Sequence, residues 1–132
     1  MPRPRSPFPT HRELEILKLL WAEGPLTVSE VRSRLDGVVG TEPAHTSVMT
    51  VMGTMVTKGY LNRTRQGNGY LYRAAVERSS TTGRMLRDLI GRAFDGATAT
   101  VAIGLLEESD LDRKQLEALR VLIDRKAPLR KQ

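Results

Sequence analysis

Two patches of this chain hold residue types suited to touching a polyanion. The first lies in the segment Pro43–Lys58. There Thr46, Ser47, Thr50, Gly53, Thr54 and Thr57 fall opposite an apolar stripe of Val48, Val51, Met52, Met55 and Val56 when spaced at 3.6 residues per turn. Small hydroxylated side chains allow a helix to lie close in a major groove. A hydroxyl can meet a base edge or a phosphate there, and a threonine methyl can pack on a thymine methyl. A helix covered by protein on both sides would share this composition. A merely solvated face would not, because Thr and Gly are poor helix formers and Lys, Glu and Arg usually fill such positions. The second patch is Arg63 and Arg65, which share one face of a stretch with period two. Arginines so placed position a protein on phosphates and seldom specify bases, although an ordinary solvated hairpin would look the same. His45, Thr46, Ser47, Thr50, Thr54, Arg63 and Arg65 are therefore the candidate contact residues. Met49, at the edge of the apolar stripe, reads as packing.

Bond-making chemistry finds little support. The chain has no cysteine, which excludes disulfides, zinc ribbons, thiolate copper sites and cysteine nucleophiles. Two histidines, His11 and His45, are too few for a His-rich metal site, so no metal or cofactor is expected. The carboxylate pairs Glu13/Glu15 and Glu107/Glu108 accompany no nucleophile–base constellation, phosphate loop or metal-ligand spacing. They read as exposed, solvated charges, and the chain as no enzyme. The net charge of +6 and pI near 10.2 favour an acidic partner, though many basic proteins never meet DNA. Residues 1–75 carry ten Lys/Arg against six Asp/Glu and residues 76–132 eleven against nine, so the excess leans to the N-terminal half. No apolar run approaches a membrane span and Met1–Pro9 has no apolar stretch, so a cytoplasmic location without membrane insertion is expected.

The elements that must carry these patches are legible in outline. A first helix opens at Thr10, with Glu13 at capping-box spacing, and buries Leu14, Leu17, Leu20 and Trp21, flanked by Ile16. Glu23-Gly24-Pro25 stops it, Leu26 is an extended link, and Thr27 with Glu30 caps a short helix over about Val28–Leu35 that buries Val28, Val31 and Leu35. A loop with Gly37, Gly40 and Pro43 leads into the helix Pro43–Lys58, which Gly59 ends. Two strands follow, 60–65 and 69–73, joined by Gln66-Gly67-Asn68-Gly69. Three helices come last: Thr81–Phe94, Thr98–Leu106 and Asp110–Arg125, the last capped by Asp110. The first is expected to bury Met85, Leu86, Leu89, Ile90, Ala93 and Phe94. The second carries Val101, Ala102, Leu105 and Leu106, and the third Leu111, Leu116, Leu119, Leu122 and Ile123. So short a helical segment can hardly bury its apolar stripes alone, and a second copy would supply the missing surface.

Glu13-Leu14-Glu15-Ile16-Leu17 with Leu20-Trp21, Thr27-Val28-Ser29-Glu30-Val31, Thr46–Met52, Lys58-Gly59-Tyr60-Leu61, Tyr70-Leu71-Tyr72 and Leu116–Arg120 together resemble a known family. It is that of the penicillinase and methicillin-resistance repressors and their copper-responsive relatives, the BlaI/MecI/CopY group. The resemblance covers about Thr10–Arg125. It implies a homodimeric repressor whose winged domain binds palindromic operators, often with TACA/TGTA half-sites, and whose C-terminal helices dimerise. It also implies induction either by a regulatory protease under a membrane-bound sensor or by copper binding to C-terminal cysteines. Without cysteine the copper route does not carry over, and the family's cleaved Asn-Phe bond falls at Gly104-Leu105 here. Gly53 and Thr54 stand where relatives usually carry a polar residue and an Arg.

The expected fold is therefore mainly α with a small β-hairpin. Residues 1–9 form a disordered basic arm, 10–75 a winged helix-turn-helix DNA-binding domain, 76–126 a three-helix dimerisation domain, and 127–132 a tail. The expected function is a sequence-specific DNA-binding regulator, a homodimeric repressor on a palindromic operator of double-stranded DNA. The alternative is a winged-helix protein–protein interaction module that binds no DNA.

Overall fold

The computed structural model describes residues 8–39 and 43–127, which divide into two compact units between Leu86 and Arg87. The fold is mostly helical with one small antiparallel sheet. Helix α1 (His11–Glu23) starts where Thr10 and Glu13 cap each other: the Glu13 amide donates to Thr10 Oγ1 at 3.2 Å and the Thr10 amide to Glu13 Oε1 at 2.9 Å. Strand β1 (Leu26–Thr27) leads into α2 (Val28–Val39), whose start repeats the device, with Glu30 N on Thr27 Oγ1 and Thr27 N on Glu30 Oε1. Helix α3 (His45–Lys58) ends at Gly59, in the left-handed region at φ 87°. The hairpin of β2 (Leu61–Gln66) and β3 (Gly69–Ala74) turns through Gly67-Asn68, with Gly67 at φ 59°.

Three expectations about the N-terminal elements' extents change. The sheet has a third strand: β1 pairs with β3, Leu26 opposite Tyr72 and Thr27 opposite Leu71, giving the order β1-β3-β2. Two residues are too short to display a period, so Leu26 read as a link. Helix α2 runs past Leu35 through Gly37 to Val39, because one interior glycine costs only about 1 kcal/mol. Helix α3 starts at His45 and not at Pro43. Ala44 is its N-cap, and the Pro43 carbonyl accepts a hydrogen bond from Arg32 Nε at 2.6 Å. Gly40 lies outside the described residues.

The N-terminal unit encloses its own core. Ile16, Leu17 and Leu20 of α1, Val31 and Leu35 of α2, and Val48, Met52 and Met55 of α3 close on Leu26, Leu61 and Tyr72 of the sheet. The buried arc of α1 is centred one step round from the predicted stripe: Ile16 is fully buried, whereas Leu14 and Trp21 are half-buried. That rotation takes Glu13 inside as well, at 3% exposure, so it is not the solvated charge its pairing with Glu15 suggested. Lys58 Nζ donates to Glu13 Oε2 at 2.9 Å and ties the end of α3 to the start of α1. Trp21 Nε1 donates to the Val76 carbonyl at 2.9 Å and holds the chain leaving the sheet. Phe8 and Pro9 are half-buried beside Tyr60, Val76 and Thr81.

Helix α4 (Arg78–Ala93) begins three residues before the predicted Thr81, inside the first unit. Asp95 and Gly96, both at positive φ, break the helical run before α5 (Thr98–Glu108). Helix α6 (Arg113–Lys126) is capped by Asp112 and not by Asp110. Only Asp112 has a partner three residues on that can reciprocate: Gln115 N donates to Asp112 Oδ1 at 2.7 Å and Asp112 N to Gln115 Oε1 at 3.0 Å. Within this single chain the expected burial of the C-terminal stripes is not met. Leu86, Leu89, Phe94, Leu105, Leu106 and Leu122 are all exposed, and no residue of α5 or α6 is buried.

Candidate nucleic-acid interface

Helix α3 is held by its apolar side. Val48, Met52 and Met55 are fully buried, with Val51 and Val56 half-buried beside them, so the opposite side must face outward. Thr46, Ser47, Thr50 and Thr54 are all exposed on it, and Gly53 is half-exposed; His45, exposed in the first turn, lies round the helix on the cleft side with Met49. Among the described residues only one hydroxyl on this side is engaged: Thr57 Oγ1 donates to the Gly53 carbonyl at 3.3 Å. Lys58, at the helix end, is the only charged residue of α3 and is turned toward Glu13. The outward face of α3 therefore carries hydroxyls and methyls. Ala44 offers no side-chain cap, so the first amides of α3 remain available to an outside acceptor.

The hairpin stands beside this face. Arg63 and Arg65 are exposed on the same side of β2, as the period predicted, and both lie over the Tyr70 ring of β3. Between the hairpin and the first turns of α2 and α3 runs an open cleft of about 410 Å³. Thr27, Ser29, His45, Gln66, Asn68 and Tyr70 line it, and among the described residues no carboxylate does. Met49 is on its wall, 46% exposed, and does not pack in the core as the apolar stripe implied. The structure thus brings Thr46, Ser47, Thr50 and Thr54 onto one helix face, sets His45 apart from them at the cleft, and puts Arg63 with Arg65 onto the adjoining hairpin.

Sequence reasoning missed Met49, Tyr70, Gln66 and Asn68 as members of this surface. The signal for Tyr70 was present, because a tyrosine alternating with the buried Tyr72 lies on the strand face that continues the core. Glu30, at the start of α2, is held below the ordinary carboxylate range by its hydrogen bonds from the Thr27 backbone and hydroxyl. Behind the site, burial pushes the Tyr60 hydroxyl up from its usual value, and the neighbouring Glu13 charge adds to this.

Three helices closed by a small sheet, with α2 and α3 as the helix-turn-helix pair and the β2–β3 hairpin as a wing, make a winged helix-turn-helix. With the uncharged face of α3 and the arginine-bearing wing side by side, the class is that of DNA-binding transcription regulators. The chain belongs to the penicillinase repressor family, whose model matches residues 9–125. It is 20% identical over 112 residues to the penicillinase repressor of Bacillus licheniformis, a match covering 85% of this chain and 86% of that one. Among solved structures, a complex structure of hsRosR-S4 is similar with a TM-score of 0.51 and 18% identity over 89% of this chain and 90% of that one. RosR of H. salinarum gives a TM-score of 0.50 and 17% identity over 91% and 96%. These two likenesses bear on the fold alone.

Proposed function

We propose that the chain is a homodimeric repressor that binds a palindromic operator in double-stranded DNA. Helix α3 lies in the major groove, with Thr46, Ser47, Thr50 and Thr54 toward base edges and His45 at the rim. Arg63 and Arg65 hold phosphates beside the groove. The observation that carries this reading is the exposed face of α3, which combines poor helix formers and small hydroxylated side chains with no charge. A face meant only for water would carry charged residues, and one meant for a protein partner would carry a broader apolar patch than Met49 alone.

The dimer rests on the exposed leucines and isoleucines of α5 and α6. Residues 87–126 form the dimerisation segment in this reading, and residues 10–86 the DNA-binding part. Two-fold symmetry would set two α3 helices about one DNA turn (~34 Å) apart, which is why a palindrome is expected. Repression of this kind places the protein in the cytoplasm with the DNA. Among the described residues no single helix is long and apolar enough to cross a membrane. A regulatory protease acting at Gly104-Leu105 would first have to open α5, because that bond lies in the helix interior.

Selection of bound duplexes from a random library, followed by a salt titration of the selected site, tests the reading. A palindromic consensus is expected, with log K falling by about 0.9 per phosphate contact for each unit of log salt. Failure to bind any duplex at low salt would refute it and leave the protein-interaction module.

A further inference from the structure

We propose that Tyr70 is a positioning residue of the wing, whose ring orients the Arg63 and Arg65 guanidiniums toward the DNA phosphates; this rests on the DNA-binding reading above. The strand register sets the arrangement. Arg65 is opposite Tyr70 and Arg63 is opposite Tyr72, so all four share one face of the hairpin. Tyr72 is 2% exposed and fixed in the core. Tyr70 meets it edge-on, with ring centroids 6.2 Å apart at 66°. The Arg63 guanidinium carbon then lies 4.3 Å from the Tyr70 ring centre, and that of Arg65 lies 5.8 Å away. Core, Tyr72, Tyr70 and Arg63 thus form one continuous support that reaches out along an otherwise exposed hairpin.

Among the described residues neither arginine is paired with a carboxylate, so the ring is what restrains them. A guanidinium that stacks uses its flat face and leaves its N–H edges pointing outward. Those edges are the groups that grip phosphate in a bidentate manner. Holding a long side chain near its bound orientation reduces the freedom that binding must remove. A lysine in place of Arg63 would keep the charge and lose both the flat face and the fork.

The test uses the full chain with a mixed-sequence duplex and with its selected operator. In the free protein, the Arg63 Nε–Hε resonance should be shifted upfield by the Tyr70 ring, and it should stay so in Y70F. In Y70L it should move to the position of an unstacked arginine. Y70L should bind both duplexes about two- to fivefold more weakly, by the same factor on each, while Y70F binds as the wild type does. R63K, at an exposed position that cannot upset the fold, should lose a similar factor despite its unchanged charge. Combining it with Y70L should lose less than the product of the two. Wild-type binding by Y70L or R63K would overturn the proposal. So would a loss in Y70F equal to that in Y70L, because the hydroxyl and not the ring would then be responsible. If the wild-type chain binds no duplex at all, the DNA reading falls, and the Arg63 resonance still reports whether the stack exists.

Discussion

Helices α3 and α6 each have 14 residues, and each has one apolar side, yet the chain treats them in opposite ways. The apolar side of α3 is buried under α1, α2 and the sheet, and its outer side is uncharged. The apolar side of α6 is open: Leu116, Leu119, Leu122 and Ile123 are all exposed, and the rest of the helix is dense in Arg, Lys, Glu and Asp. An outer face of charge is what water selects, and α6 has one where α3 does not. An apolar stripe without cover is what association selects. In the proposed reading the outer face of α3 is kept for a nucleic acid, and the open stripe of α6 is kept for a second copy.

The largest effect should come from breaking the second half of that contrast. Leu119→Glu with Leu122→Glu places two carboxylates on the open stripe of α6. Light scattering at micromolar concentration should then change from the dimer mass to the monomer mass. Operator affinity should fall by about 10²–10⁴-fold as the linked second half-site is lost. A wild-type chain already monomeric at that concentration would break the comparison outright, because the stripe would be exposed for some other reason.

Next in size is a cut into the finished core. Leu35→Ala empties a fully buried site between α2 and its neighbours and should cost about 2–5 kcal/mol in chemical denaturation. The dimer mass should not change, since the α5 and α6 stripes are untouched. Glu13→Gln is milder. It keeps the shape and an acceptor for the Thr10 amide but leaves the Lys58 ammonium, with 17% of its side chain exposed, opposite a neutral group. A loss of about 1–3 kcal/mol is expected, below the figure for a fully buried pair because water reaches Lys58. Equal destabilisation by Glu15→Gln would show that the burial of Glu13 has no consequence.

What the sequence disclosed and what it hid follow from how local each feature is. Thr10 with Glu13, Thr27 with Glu30, and Gly59 act within one helical turn, and each stands in the structure where the spacing placed it. The Thr-rich side of α3 was legible for the same reason, since a period needs only its own residues. Strand β1 was not, because a pair of residues becomes a strand only through β3, some 45 positions away. Burial of Glu13 depends on Lys58 at the far end of α3. The Tyr70 stack depends on the two-residue turn Gly67-Asn68, which sets Arg65 opposite Tyr70; a joining segment read loosely as Gln66–Gly69 leaves that register open. The position of Met49 at the cleft required knowing where β3 would lie against α3.

The smallest effect sharpens the first half of the contrast, and it concerns Gly53. Glycine inside a helix is less stable than alanine by about 0.5–1 kcal/mol. A Cβ built on Gly53 meets nothing within 4 Å, so no neighbour among the described residues requires the glycine. Gly53→Ala should therefore raise stability by about that 0.5–1 kcal/mol, read as a higher denaturation midpoint. The added methyl would stand on the outward side of α3, one turn from Met49 and one turn from Thr57. If the backbone there approaches DNA closely, the same variant should bind its operator more weakly while being more stable, a divergence that loss of folding cannot produce. Were stability to rise with affinity unchanged, contact would be confined to the first turns, at His45, Thr46, Ser47 and Thr50. The second half of α3 would then serve only to carry the stripe that fixes it to the core.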